Sequence, residues 1–251
     1  MPEPVLVAVA HGSADPRAAA TVADLMATVA ERAPERGVSL PDLRTAYLGH
    51  AAPSLAQIMQ TVEDQVTVLP LLLTAAYHSK ADIPRVLARC GLHRVSYGAT
   101  LGPHPLLLRA LERRLAEATG AETDLGGADR GRTGVVLAAA GSSDPEANAT
   151  IARLAARWQA EAGWFAVRPA YASAAVPSPA AAVTGLLRDG ASRVIVATYL
   201  LAPGFFADRI RASSLAAGAA AVAAPLGAAA EVADVLLDRY QEAGSLRRTA
   251  A

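Results

Sequence analysis

Short, continuous apolar runs alternate along this chain with longer segments in which apolar residues recur every three or four positions. The runs read as buried strands, and the periodic segments as helices with one face on a core. In the first half the strands are Val5–Ala10, Arg44–Leu48, Val66–Leu73 and Arg94–Ala99. The helices are Pro16–Arg32, Ser54–Glu63, Asp82–Arg89 and Pro105–Ala118. The second half runs in the same order. Its strands are Val135–Ala140, Arg168–Tyr171 and Arg193–Leu201, and its helices Pro145–Ala162, Pro179–Arg188, Asp208–Ala217 and Ala229–Ala243. Runs that are apolar throughout, rather than alternating, indicate strands covered on both faces, as in parallel sheets. The pattern predicts an α/β chain of two similar flavodoxin-like, doubly wound domains with parallel sheets, related by internal duplication, with a cleft between them. The expected divisions are 1–119, a Gly-rich and charged linker at 120–134, 135–244, and a tail at 245–251.

The duplication is legible residue by residue. Ala10-His11-Gly12-Ser13-Ala14-Asp15-Pro16 recurs as Ala139-Ala140-Gly141-Ser142-Ser143-Asp144-Pro145, with Ala140 where His11 stands. All five histidines, His11, His50, His78, His93 and His104, fall in the first copy. A repeat that keeps the frame and drops the imidazoles from one half assigns the chemistry to the other.

Composition narrows the class. The 251 residues are 53% hydrophobic but only 4% aromatic, so Ala, Val and Leu build the core. Lys and Arg total 23 and Asp and Glu 23, without a basic stripe, which argues against a nucleic-acid partner. The single Cys90 excludes an intramolecular disulfide and a thiolate zinc site, and fits a reducing, cytoplasmic setting. The N-terminus lacks the charged region of a signal peptide, and Gly218, Pro225 and Gly227 break the Ala-rich stretch near residue 220, so no membrane span is expected. No P-loop, dinucleotide fingerprint or nucleophile elbow occurs, so neither ATP nor an organic cofactor is implied.

In open parallel sheets, ligands bind outside the carboxyl ends of the strands. His11 follows the first strand and His78 the third, so both fall at that edge. Two neutral imidazoles suit a borderline divalent ion such as Fe²⁺, Co²⁺, Ni²⁺ or Zn²⁺, and they accept protons near neutrality. Two ligands leave a metal site open, which fits transient handling better than a structural role.

His11-Gly12-Ser13-Ala14-Asp15-Pro16-Arg17 followed by His78-Ser79-Lys80-Ala81-Asp82-Ile83-Pro84 resembles the sirohydrochlorin chelatases of the class II chelatase superfamily. Leu101-Gly102-Pro103-His104-Pro105 and Tyr199-Leu200-Leu201-Ala202-Pro203-Gly204-Phe205-Phe206 are similar to segments of the same family. The resemblance implies insertion of a divalent metal, with Fe²⁺ foremost and Co²⁺ or Ni²⁺ as alternatives, into a cyclic tetrapyrrole. It makes His11 and His78 the catalytic, metal-handling pair, without saying which binds metal and which takes the proton. A cobaltochelatase or a non-catalytic tetrapyrrole or metal carrier is the competing expectation.

One position departs from the family. The acidic residue that relatives often carry after the second strand falls at Gly49 in Ala46-Tyr47-Leu48-Gly49-His50. His50 is then either a replacement ligand or a loop residue. A flat macrocycle fringed with carboxylates needs an apolar slot and a cationic or N–H rim. Phe205 and Phe206 are candidates for the slot, and Ser13, Lys80 and Arg17 for the rim. Because both copies lie in one chain, a monomer should suffice.

Overall fold

The computed structural model describes residues 4–40, 42–62, 65–90, 95–120 and 127–250. Each half forms a four-stranded parallel sheet. In the first the strands are β1 (Val5–Ala10), β2 (Leu43–Tyr47), β3 (Val66–Pro70) and β4 (Val95–Tyr97), in the order β2-β1-β3-β4. In the second, β5 (Thr133–Ala139), β6 (Ala166–Tyr171), β7 (Arg193–Tyr199) and β8 (Ala221–Val222) repeat it as β6-β5-β7-β8. The apolar runs take the central places: Leu6 to Val9 in β1 and Val135 to Ala138 in β5 are fully buried. Register repeats too, Ala10 lying opposite Tyr47 as Ala139 lies opposite Tyr171.

The helices are α1 (Pro16–Glu35), α2 (Leu55–Met59), α3 (Ile83–Arg89), α4 (Pro105–Thr119), α5 (Gly127–Arg130), α6 (Pro145–Ala162), α7 (Pro179–Arg188), α8 (Phe205–Ala216) and α9 (Ala230–Ala250). The Asp-Pro pairs start α1 and α6 as capping chemistry dictates. Asp15 accepts from the Arg17 amide and Asp144 from the Glu146 amide, and each proline takes a first-turn position that has no intrahelical N–H partner. Ser54 and Ser178 cap α2 and α7 in the same way.

Several boundaries differ from the sequence expectation. β3 ends at Pro70 rather than Leu73, because the chain leaves the sheet toward a π-helical turn at His78–Asp82. α8 begins at Phe205 rather than Asp208, since Gly204, at φ 148°, starts it without a side-chain cap. The tail expected at 245–251 continues α9 to Ala250, and part of the expected linker forms α5 and the start of β5. β8, two residues long, has no counterpart in the expected elements. Linker residues 121–126, together with Glu63, His93, Arg94 and Ala251, lie outside the described residues.

The larger departure concerns the closing helices. The chain divides into two compact units, one of residues 1–106 and 227–251, the other of 107–226. Each unit therefore takes the closing helix of the opposite copy, rather than its own as the division at 119 and 135 supposed. In the first unit α9 lies on α1, where Asp234 receives the Arg32 guanidinium through two bonds of 2.7 and 2.8 Å. Asp238 pairs with Arg36 at 2.7 Å, and the Tyr240 hydroxyl donates to the Pro4 carbonyl at 2.8 Å. In the second unit Glu112 of α4 accepts the Trp158 indole N–H at 2.9 Å and pairs with Arg130 at 3.2 Å. The Arg130 guanidinium stacks 4.5 Å from the Trp164 ring centre. Among the described residues no helix is long and apolar enough to cross a membrane.

Candidate active site

The site starts from two backbone turns that the repeat builds twice. After β1, Gly12 turns at φ 89° so closely over the next loop that a Cβ there would stand 1.7 Å from the Gly49 carbonyl oxygen. Gly141, at φ 84°, lies over the Ser173 carbonyl with 1.9 Å for the same atom. The crossing loop answers with one bond: the Gly49 amide donates to the His11 carbonyl at 3.2 Å, as the Ser173 amide donates to Ala140 at 2.9 Å. Gly12→Ala should therefore cost about 3 kcal/mol or more, because left-handed strain and a clash with backbone add. Denaturant melting checks it, and a loss below about 1 kcal/mol would contradict the close approach.

On this scaffold the structure brings His11 and His78 together. Their Nε2 atoms are 3.0 Å apart, and the rings meet edge to face with centres separated by 4.4 Å. The tautomer of each ring decides what passes between them, and His11 Nδ1 lies 3.2 Å from the Gly12 carbonyl oxygen, which can only accept. Two nitrogens bound at about 2.0–2.1 Å to one tetrahedral ion stand about 3.3 Å apart. The pair is thus a few tenths of an ångström from the spacing that two ligands of one such ion would have.

The π-helical turn positions His78. Ser79 is buried, donates to the Ala76 carbonyl at 3.0 Å and accepts from its amide at 3.1 Å. The Tyr97 hydroxyl, at the carboxyl end of β4, donates to the Ser79 carbonyl at 2.8 Å, and burial pushes its pKa up to about 12. Asp82 ends the turn with Oδ2 2.7 Å from His78 Nδ1. Asp82 and Tyr97 were not singled out as site residues from sequence. The four-residue spacing of His78 and Asp82, which puts both on one helix face, was the available signal.

The other candidates separate. His50 lies exposed in the loop after β2 at φ 58°, a conformation its counterpart Ala174 shares at φ 57°. Histidine is one of the few residues enriched there, so the turn accounts for it. Among the described residues no group of three or more His, Cys, Asp or Glu converges in metal-holding geometry, and His50 does not join the pair. Ser13 accepts from the Asp15 amide at 3.1 Å, and Ser142 does the same for Asp144 at 3.0 Å, so this hydroxyl serves the turn in both copies. Arg17 is exposed and pairs with Asp15 at 2.6 Å, and Lys80 is exposed within the π-helical turn. Phe205 and Phe206 open α8 in the second unit, 72% and 38% exposed, their rings edge to face at 5.6 Å.

The second copy closes its corresponding turn with its own side chains. Asn148 accepts from the Ser142 amide at 3.0 Å and donates to the Ser142 carbonyl at 2.7 Å. The Ser173 hydroxyl donates to the Ala140 carbonyl at 3.0 Å. At the equivalent Gly49, by contrast, a Cβ would meet nothing within 4 Å.

Comparison with known proteins agrees with this duplicated layout. The chain is 27% identical over 176 residues to the sirohydrochlorin cobaltochelatase of Priestia megaterium, an alignment covering 67% of this chain and 56% of that protein. It is 26% identical over 181 residues to the sirohydrochlorin ferrochelatase of Bacillus subtilis (strain 168), covering 69% of this chain and 66% of the relative. The chain thus spans somewhat less than two thirds of the length of these relatives. Its fold is that of SirB from Bacillus subtilis, solved with Fe³⁺, at a TM-score of 0.77 and 24% identity over 96% of both chains. The CbiX family model matches twice, at residues 5–118 and again at 134–243, and the chain belongs to the CbiX family.

Proposed function

We propose that this chain inserts a divalent metal ion, Fe²⁺, into a sirohydrochlorin-like cyclic tetrapyrrole without ATP. The observation that carries the reading is the pair of imidazole nitrogens 3.0 Å apart at the carboxyl edge of one sheet, with Ala140 in place of His11 in the other copy. Insertion exchanges one divalent ion for two pyrrole N–H protons. A site for it must hold the ion weakly enough to release it and must accept protons. Two imidazoles on an open edge meet both demands, since neutral nitrogen ligands bind the ion and become bases once it has left. Phe205 and Phe206 present aromatic faces suited to a flat macrocycle, and the Lys80 ammonium suits its carboxylates.

Cobalt insertion is the second reading, favoured by the similarity to a cobaltochelatase and by the all-nitrogen donor set. Anaerobic insertion into sirohydrochlorin, followed by absorbance with Fe²⁺, Co²⁺ and Ni²⁺ against the uncatalysed rate, decides among the metals. A stable protein–macrocycle complex without acceleration would replace the enzyme with a carrier. In this reading the chain works in the cytoplasm as a monomer, and activity per chain stays constant on dilution.

Position 49 offers a direct handle on the metal. The open space at its Cβ and the place of the equivalent Ser173 side chain put a longer residue beside His11. Gly49→Glu should add a carboxylate ligand and tighten divalent binding about tenfold, roughly 1.4 kcal/mol. The gain should be larger for Mn²⁺ and Fe²⁺ than for Ni²⁺, because oxygen donors suit the former better. Calorimetric titration of the metals alone measures it, and unchanged affinities would place position 49 outside the metal's reach.

A further inference from the structure

We propose that Asp82 is a positioning residue for metal capture: it holds the His78 ring by Nδ1 and so turns the Nε2 lone pair toward His11 and an incoming divalent ion. The proposal rests on the metal-handling role given to the histidine pair above. An ionised carboxylate has no proton to give, so the 2.7 Å contact from Asp82 Oδ2 to His78 Nδ1 requires the hydrogen on Nδ1. In a neutral ring that leaves Nε2 bare, and Nε2 is the atom 3.0 Å from its partner on His11. The contact thus selects both the tautomer and the ring orientation.

The carboxylate is itself fixed. Its second oxygen receives Arg85 at 3.4 Å. The next residue, Ile83, is fully buried in the cluster around β1 and β3, and Ser79 is pinned from both sides as described. Both ends of the turn are anchored, so the geometry is set before a metal arrives. Carboxylates in this relation to a ligating histidine typically contribute about 10- to 100-fold to metal affinity.

The repeat supplies its own control. Asp208 stands in the first turn of α8, with its amide on the carbonyl of Gly204, four residues before it where Asp82 has His78. A carboxylate that only favours a helix start should behave alike in both places. The test titrates the full chain with Co²⁺ alone, reading its visible absorption, for the parent, Asp82→Asn, Asp208→Asn and His78→Ala, with thermal melting of each. Asp82→Asn keeps the shape but lets the amide face either tautomer. The expected result is a 10- to 100-fold weaker Co²⁺ affinity and an altered spectrum in Asp82→Asn, with Asp208→Asn like the parent. Parent-like affinity and spectrum in Asp82→Asn, or an equal loss in Asp208→Asn, overturns the positioning role. His78→Ala separates the two levels: if it binds Co²⁺ like the parent, the metal site itself is wrong, whereas if it loses binding and Asp82→Asn does not, only the role of Asp82 falls.

Discussion

Replacing either His11 or His78 by alanine should lower turnover in the metal-insertion assay by about 100-fold or more while the protein stays folded. The magnitude follows from chemistry, since one positioned proton acceptor is typically worth about 10²–10⁴ in rate, and loss of half a two-ligand site adds to that. Folding should survive because neither ring is part of a core: His11 is exposed and the His78 side chain is 43% exposed. The double variant should be little worse than either single one, as expected for groups that act on one ion and one proton. Steady-state rates with a fixed macrocycle concentration, paired with melting curves, check the prediction. Parent-like turnover in both single variants would remove the pair from the mechanism.

Ending the chain after Gly227 should unfold the first unit, and with it the His11–His78 site, although no residue of that site is deleted. The truncation removes α9, whose Val232, Ala233, Val235, Leu236, Leu237 and Tyr240 are buried in the first unit. Each large apolar side chain contributes roughly 1.5–3 kcal/mol when buried. Their sum, about 10 kcal/mol, matches the entire stability of a typical domain. The second unit keeps α4, with its Glu112–Trp158 and Glu112–Arg130 contacts, and should stay folded. Hydrogen exchange resolves the two: amides of β1 and β3 should lose protection while those of β5 and β7 retain it. Retained protection in β1 and β3 would show that α9 is dispensable to the first core.

That truncation also marks where the sequence was silent. Apolar runs such as Val5–Ala10 and Arg193–Tyr199 could be read as buried strands because little else puts that many aliphatic residues in a row. His11 and His78 could be paired because strand order brings the carboxyl ends of β1 and β3 side by side. The exchange of α4 and α9 left no such trace. The apolar face of α4, with Leu107, Leu111 and Leu115, and that of α9, with Val232, Val235 and Leu236, demand a sheet but do not name which. Asp82 was hidden by its context, since an aspartate before Ile83-Pro84 reads as a helix start. Its four-residue spacing from His78 was legible, but the π-helical turn that carries the two, a local underwinding to i→i+5 bonding, is not written in the periodicity. His50 left the opposite ambiguity: a residue type with chemistry stands in a left-handed turn that its counterpart Ala174 also adopts.

The division of residues also makes the second unit an insert within the first. Both ends of the described chain belong to the first unit, where the Tyr240 hydroxyl reaches the Pro4 carbonyl at 2.8 Å. A pull applied at the two termini therefore loads β1 against α9, across the Arg32–Asp234 and Arg36–Asp238 pairs, before any tension passes residue 106. The unit that carries the histidine pair is the mechanically exposed one, and the copy without it is sheltered until its host lets go.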